Sequence, residues 1–174
     1  DRWLGAAPVP FNPRNPHMNP DKERRKISEL VAGDARAKLA VKAKRLRTGG
    51  WEYHYALMNF EFAFAETEGN TPNLRITSTQ GFDAFALETG SGASITSTRV
   101  RDGDLDAGND WDFTVGADSV EWAAGSGGRS LGWGELYSFT VHSTKAPVAG
   151  TAVLRADGAG RGAAYEVATL VPGL

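Results

Sequence analysis

The sequence predicts an all-β chain folded as an antiparallel β-sandwich of the immunoglobulin-like class. Apolar and polar residues alternate with a period of two in many short runs, which is the pattern of half-buried strands. The 21 glycines among the 174 residues cluster between these runs, where turns are expected. Short strands at close spacing, without long helical periods between them, favour a sandwich.

The length suits one domain, which buries roughly 70% of its unfolded surface. The chain has no cysteine, which excludes disulfides, thiolate zinc sites and cysteine nucleophiles. No apolar run reaches the ~18–20 residues of a transmembrane helix, so none is predicted. Because the sequence starts at Asp1, we expect that a signal peptide or upstream segment has been removed.

Residues 1–20 are expected to form an extended, proline-rich arm. Proline fixes φ and disfavours a helix at the residue before it. The prolines of this segment are Pro8, Pro10, Pro13, Pro16 and Pro20. Apolar residues in such an arm pack on their own domain or on a partner. The residues assigned to partner binding are Trp3, Leu4, Val9 and Phe11.

Residues 21–34 are expected to form a short helix or a linker. Pro20 suits the first position of a helix and Gly33 suits its end. The apolar residues that would share one helical face are Ile27, Leu30 and Val31.

The sandwich domain is assigned to residues 35–174 and opens with a hairpin. In the first strand, apolar residues alternate with the basic residues Lys38, Lys42 and Lys44. A Thr-Gly-Gly turn follows, since glycine supplies positive φ. In the return strand Glu52 and His54 share one face, and Glu52 lies opposite one of the three lysines, depending on the register. The residues of this strand on the opposite face are Trp51, Tyr53, Tyr55 and Leu57.

Ten residues in two strand motifs, W-x-Y-x-Y-A-x-x-N and W-G-x-L-Y-x-F, carry a resemblance to a known kind of domain that covers roughly residues 35–172. They are Trp51, Tyr53, Tyr55, Ala56, Asn59, Trp133, Gly134, Leu136, Tyr137 and Phe139. The pattern resembles a β-sandwich domain found in predicted secreted proteins of environmental bacteria, whose function is largely uncharacterised. The resemblance implies a β-sandwich in an extracellular or cell-surface setting and brings no catalytic residues.

One motif is shared with hydrolases. Residues 128–132 read G-R-S-L-G, which fits the G-x-S-x-G nucleophile elbow. That elbow needs a helix after the serine, whereas the run that follows here has the pattern of a strand. Acidic residues are plentiful, but nothing selects a pair for glycoside hydrolysis. We therefore expect no enzymatic activity.

The segment 102–112 is rich in oxygen ligands and is the candidate calcium site. The EF-hand pattern is excluded, because Ala107 stands where its glycine is required and Phe113 where its glutamate is required. A looser calcium loop and a solvated acidic turn both remain open, and calcium is the one cofactor considered. The candidate ligands are Asp102, Asp104, Asp106, Asn109 and Asp110.

Aromatic residues offer a second kind of site, a flat platform for sugars. Their phase in the strands favours the core for Trp51, Tyr53, Tyr55 and Trp133. Trp111 lies in the acidic segment and is the best candidate for a surface aromatic. A carbohydrate-binding module, stabilised by calcium, is therefore the alternative function.

Charge is unevenly distributed along the chain. Residues 1–50 carry 12 Lys and Arg against 5 Asp and Glu, whereas residues 51–174 carry 7 against 16. The two parts are expected either to be solvated or to attract each other within or between molecules. The basic strand alternates Lys with Ala and lacks stacking aromatics, so nucleic acid is not expected as a partner. The favoured function is a non-enzymatic extracellular structural or protein-interaction domain. Its arm would dock on a neighbouring subunit or domain in a homo- or hetero-oligomer.

Overall fold

The protein is described by a computed structural model for residues 2–4, 22–32, 35–60, 65–68, 75–79, 81–126, 128–156 and 163–173. Within these ranges every regular element is a β-strand, which confirms the all-β prediction. In chain order they are β1 (Arg2–Leu4), β2 (Glu23–Ala32), β3 (Ala35–Arg45), β4 (Trp51–Asn59), β5 (Ala65–Glu68), β6 (Arg75–Thr79), β7 (Phe82–Glu88), β8 (Ile95–Arg101), β9 (Asp112–Val115), β10 (Ser119–Ala123), β11 (Leu136–Ser143), β12 (Pro147–Ala156) and β13 (Ala163–Pro172).

Two antiparallel sheets pack against each other and confirm the predicted sandwich. One sheet has six strands in the order β1-β2-β3-β4-β11-β8, and the other has five in the order β13-β12-β7-β10-β9. Strand β13 lies against β2 and β3, while β5 and β6 pair separately. Within the described part of the chain, no helix is long and apolar enough to cross a membrane.

The short helix predicted within residues 21–34 is wrong. Strand β2 occupies Glu23–Ala32 and pairs with β3 along all ten residues. Burial alternates with a period of two, since Ser28 and Leu30 are buried whereas Ile27 is 43% exposed on the other face. Pairing with β3 satisfies the backbone of this segment, which outweighs weak local signals for a helix.

The six-stranded sheet includes chain that lies before the predicted sandwich boundary at residue 35. Strand β1 pairs with β2, with Arg2–Leu4 opposite Glu29–Val31. The first part of the predicted arm, which contains Trp3 and Leu4, is therefore an edge strand of the domain itself. The remainder of the arm lies outside the described residues, together with Val9 and Phe11.

The predicted hairpin is confirmed as β3 and β4. The register places Lys44 directly opposite Glu52. Gly50 in the turn has φ 76°, and a Cβ there would lie 2.9 Å from the carbonyl oxygen of Ser143. Both the backbone conformation and the space therefore require glycine. The inward side chains, none more than 3% exposed, are Ala37, Leu39, Val41, Ala43, Tyr53, Tyr55 and Leu57.

Aromatic rings from both sheets fill the core. Phe85 of β7 stacks on Trp122 of β10, with ring centroids 5.5 Å apart. From the other sheet, Phe139 lies 4.7 Å and Tyr55 lies 5.6 Å from Phe85. All four side chains are at most 1% exposed. Offset and tilted contacts of this kind add to the stabilisation that burial alone provides.

Two tyrosines of β4 place their hydroxyl groups on backbone carbonyls outside their own sheet. Tyr53 donates a hydrogen bond to Lys145 at 2.7 Å, and Tyr55 donates one to Leu170 of β13 at 2.8 Å. Burial raises the pKa of both phenols above the usual value, so both remain neutral donors. The Tyr55 bond connects β4 to the second sheet, and the Tyr53 bond connects it to the segment between β11 and β12.

The predictions for Trp111 and Trp133 are both wrong. Trp111 is only 3% exposed, and its indole N–H donates a hydrogen bond to the carbonyl of Arg129 at 2.8 Å. Its ring packs edge-on against Tyr137, with centroids 5.4 Å apart. Trp133 is 71% exposed. The strand phase that predicted its burial does not reach it, because Gly134 turns the chain at φ 75° before β11 begins.

The burial of Trp111 and the exposure of Trp133 are testable by mutation. Replacing Trp111 by alanine should lower the free energy of unfolding by about 3–5 kcal/mol, since it empties a packed site and leaves a carbonyl without its donor. Replacing Trp133 by alanine should change it by less than about 0.5 kcal/mol. Equilibrium unfolding in urea measures both values, and equal losses would contradict the assignment.

Candidate functional site

The outward side chains of β2, β3, β4, β11 and β8 form one broad surface, which we call the basic face. The register of the strands arranges these side chains in rows across the sheet. One row consists of Arg25, Lys42, His54, Thr140 and Arg99. The next row consists of Glu23, Lys44, Glu52, His142 and Ser97. The cations of the face are Arg25, Arg36, Lys38, Lys42, Lys44, Arg99 and Arg101.

On this face the cations are more exposed than the carboxylates. The side chains of Arg25 and Lys42 are 43% and 44% exposed, whereas that of Glu23 is 17% exposed. Glu23 pairs with Arg25 and lies 3.2 Å from Nζ of Lys42. Burial raises the pKa of Glu23, but the hydrogen bonds from Lys42 and Arg25 outweigh it and hold the pKa below its usual value. The face therefore presents positive charge to solvent although it contains acids.

The carboxylate of Glu52 has two histidine partners on the same face. Its Oε1 lies 2.8 Å from Nε2 of His54, and its Oε2 lies 2.9 Å from Nε2 of His142. Nδ1 of His54 is in turn 3.2 Å from the hydroxyl of Thr140. The hydrogen bond with His142 is the main cause that holds the pKa of Glu52 below its usual value, and the bond with His54 adds to it against the effect of burial. A carboxylate with a lowered pKa is a weak base, so this cluster is unsuited to acid–base catalysis near neutral pH.

A shallow depression of about 620 Å³ lies in the basic face. Its floor contains Ala40, Ala56 and Ser138, which are neighbours across three strands. Ile27 and Arg25 border it on the side of β2. Sites for small molecules usually enclose most of their ligand. This open trough offers contact to a broad surface rather than enclosure.

The loop between β8 and β9 brings together the residues predicted to bind calcium, Asp102, Asp104, Asp106, Asn109 and Asp110. Asp102 accepts a hydrogen bond from the N–H of Asp104 at 3.1 Å, and Asp104 accepts one from the N–H of Asp106 at 2.7 Å. Asp106 likewise accepts from the N–H of Gly108 at 2.9 Å. Over the described residues, no group of three or more His, Cys, Asp or Glu side chains is arranged to hold a metal ion. Calcium binding stays a prediction from the sequence.

The same loop, which we call the acidic loop, concentrates negative charge. Burial, and then the charges of Asp102, Asp104 and Asp106, raise the pKa of Asp110. Arg129 approaches from the segment before β11, with its Nη2 3.9 Å from Oδ2 of Asp104. The loop therefore adds acidic surface at the end of β8.

The G-x-S-x-G segment does not form a nucleophile elbow. Leu131 makes a β-bridge with Phe82, and the chain then turns into strand β11. An elbow places its serine between a strand and a helix. The geometry around Ser130 thus lacks the setting that exposes a nucleophilic serine.

Sequence reasoning missed the cluster of Glu52, His54 and His142. Glu52 and His142 are 90 residues apart in the chain and meet only because β4 pairs with β11. The alternation within β4 did predict that Glu52 and His54 share a face. The strand that lies beside them is set by the fold of the whole chain, so local patterns do not identify it.

No protein-family model matches this sequence, and no curated protein matches it. Among solved structures, the KRT10-binding region domain of the pneumococcal serine rich repeat protein PsrP is similar, with a TM-score of 0.37 and 13% sequence identity. The alignment covers 85% of this chain and 98% of that chain. At this level of similarity, the function of the present chain has to be argued from its own residues.

The pairing of Glu52 with the histidines predicts a pH-dependent stability. Because the pKa of Glu52 is lower in the folded state, its charge stabilises the fold above the unfolded pKa, and this contribution is lost as the pH falls through the folded pKa. Replacing Glu52 by glutamine should therefore reduce the unfolding free energy at pH ~6 by about 1 kcal/mol or less, and have a smaller effect at pH ~3.

Urea unfolding at the two pH values measures this difference. In a background with both His54 and His142 changed to glutamine, the same substitution should have a smaller effect. A loss of stability that is equal at both pH values would contradict the role of the ionised carboxylate.

Proposed function

We propose that this chain is a non-enzymatic protein-interaction domain that works outside the bacterial cell and binds an acidic surface of a partner protein through its basic face. One observation carries the proposal, namely that the seven cations of this face outnumber its three carboxylates, two of which are more buried than the basic side chains beside them. Glu23 and Glu52 make their contacts within the face, and Glu29, the third carboxylate, lies directly opposite Lys38. The cations therefore keep a net positive field that a partner encounters.

The shape of the face supports a protein as the partner. The rows of side chains span five adjacent strands without a deep cleft, and the depression at Ala40 and Ala56 is open. Interfaces between proteins are broad, with a polar rim and a less charged centre. Ile27, which is 43% exposed beside this depression, provides such an apolar point near Arg25 and Lys42.

The extracellular setting rests on the resemblance to secreted β-sandwich domains. The absence of an enzymatic role is supported by two features of the described residues. Ser130 lies outside an elbow geometry, and Glu52 has a lowered pKa unsuited to a general base.

A carbohydrate-binding module ranks second. Trp111, its first candidate contact, is buried, and Trp133 is the remaining tryptophan that is exposed among the described residues. Sugar platforms of the kind considered need aromatic faces side by side. Trp133 alone supports this alternative less strongly than the cations support the first.

The basic face is tested by reversing two of its charges. Lys42 and Arg99 lie in one row of the face. Glutamate at position 42 loses the ion pair with Glu23 but keeps Arg25 and His54 as neighbours in its row, so thermal unfolding of the variant is measured first. The full-length chain should bind poly-L-glutamate, and the double variant Lys42→Glu/Arg99→Glu should bind it at least about tenfold more weakly. Calorimetry or fluorescence anisotropy at several salt concentrations measures the affinity.

The matched control is Lys22→Glu/Arg47→Glu, which makes the same change in net charge at exposed positions near the β3–β4 turn, outside the basic face. This control should bind nearly as the wild type does. Equal weakening in both double variants would show that only net charge matters and would contradict the proposal. Tighter binding of a single-stranded oligonucleotide than of polyglutamate at physiological salt would contradict it as well.

The arm is a second contact that we propose for the same domain. Strand β1 covers only three residues of β2, and 18 residues separate Leu4 from Glu23. Such a segment spans at most about 60 Å when extended, which is enough for Arg2–Leu4 to pair with β2 of a neighbouring molecule. Exchange of an identical element between copies is a common route to dimers.

Removing residues 1–20 tests the arm. The full-length chain should contain dimers or larger species in ~1 M NaCl, where contacts between exposed charges are screened, and the shortened chain should be monomeric. Light scattering coupled to size-exclusion chromatography measures both masses. A full-length chain that is already monomeric, or a mass ratio unchanged by the deletion, would contradict this role of the arm.

A further inference from the structure

The outer face of the five-stranded sheet carries the opposite charge. Its strands are β13, β12, β7, β10 and β9. Along these strands the outward residues alternate with inward, buried residues such as Leu87, Val120 and Val167. Among the described residues with an outward phase on these strands, Arg155 is the cation, and its Nη2 lies 2.6 Å from Oε1 of Glu121. The carboxylates of the face are Glu88, Asp112, Glu121 and Glu166. We call this surface the acidic face.

The two charged faces lie on opposite sides of the sandwich. Each sheet turns its apolar side toward the shared core, so the outward residues of the two sheets point in opposite directions. The uneven distribution of charge along the chain thus becomes a polarity across the domain. Most cations of the basic face come from β2 and β3, whereas the acidic face is built entirely from residues after position 80.

We infer that the partner of the basic face is the acidic face of a second copy of this chain. The inference rests on the proposed function and adds the identity of the partner. Complementary charge on two sheet faces of one molecule is the observation that carries it. Contact of a face with the same face of another copy would juxtapose like charges, so the contact is heterologous. A heterologous contact between opposite sides of a domain repeats without closing, and copies stack in a row.

Both faces have a relief that suits stacking. On the basic face, Ala40, Ala56 and Ser138 form a row of small side chains. On the acidic face, Ala86 of β7 and Ala123 of β10 are small residues with an outward phase that are partly exposed. Small residues in the middle of each sheet let the longer charged side chains around them meet. The exposed Ile27 adds an apolar contact at the edge of the depression.

The faces are smaller than the interfaces of most stable complexes, so we expect the contact between them to be weak. Five strands at ~4.8 Å spacing and about seven residues at ~3.3 Å each give a flat area of about 550 Å². Stable complexes usually bury about 800 Å² on each partner. Because much of the attraction is between exposed charges, we expect stacking to depend strongly on salt and on protein concentration.

A charge-exchange experiment tests the inference with the full-length chain. The first variant is Lys42→Glu/Arg99→Glu, which cancels the net positive charge of the basic face and leaves the acidic face unchanged. The second is Glu88→Lys/Glu166→Lys, which makes both faces basic, with Glu88 and Glu166 both exposed and on different strands. Sedimentation velocity follows the mean mass of each protein, and of their equimolar mixture, from ~0.01 M to ~1 M NaCl, where the Debye length falls from about 30 Å to about 3 Å.

At low salt the wild type should show a sedimentation coefficient that rises with concentration, and ~1 M NaCl should abolish this rise. Each variant alone should sediment as a smaller species than the wild type. The mixture should regain association, because each native face of one variant meets the complementary native face of the other. The Lys22→Glu/Arg47→Glu variant should behave as the wild type.

Two results would overturn the inference: a wild type whose mass is independent of concentration at low salt, or a mixture that associates no more than its separate components. Polyglutamate binding distinguishes a wrong partner from a wrong function of the basic face. If the wild type binds polyglutamate through the basic face but does not self-associate, the second copy is the wrong partner and the proposed function stands. If it does neither, both fail. Should either variant unfold, as judged by thermal unfolding, the salt and concentration series of the wild type still decides.

Discussion

Alternation of side chains along a strand couples the core of this protein to its surface charge. In β3 and β4, Leu39, Val41, Tyr53 and Tyr55 point inward and are buried, so the residues between them have to face solvent. A register shift of one residue would bring the lysines of β3 into the core, at a cost far above that of any surface contact. The hydrophobic effect that assembles the sandwich therefore also holds the basic face in position.

Cations fixed in neighbouring strands repel one another, and the carboxylates of the same face reduce this repulsion. Glu23 lies beside two cations, and Glu52 lies between two histidines. Both carboxylates are more buried than the basic side chains around them, so they act mainly within the face rather than toward solvent. A face arranged in this way tolerates its own charge in the free protein and keeps an attraction for an acidic surface outside it.

Much of this arrangement was predictable from sequence, and the limits have clear physical causes. The hairpin and its two faces followed from the period-two pattern, because that pattern is local. The segment around Ile27 resembled a helix until pairing with β3 decided its conformation. Trp111 and Trp133 were misplaced because burial in a loop depends on what packs over it, which here includes Tyr137. The meeting of Glu52 with His142 requires the order of strands in the sheet, which no local pattern contains.

The two contacts proposed for this domain use different directions of the same sheet. Strand β1 joins β2 by backbone hydrogen bonds in the plane of the sheet, whereas the basic face is approached perpendicular to that plane. Exchange of the arm would therefore leave the cations on β2 and β3 accessible, and a docked acidic surface would leave the edge of β2 free to pair. Backbone pairing is insensitive to salt, while contacts between exposed charges are screened by it. A domain with both kinds of contact would keep its connection through the arm at high ionic strength and gain lateral stacking as the ionic strength falls.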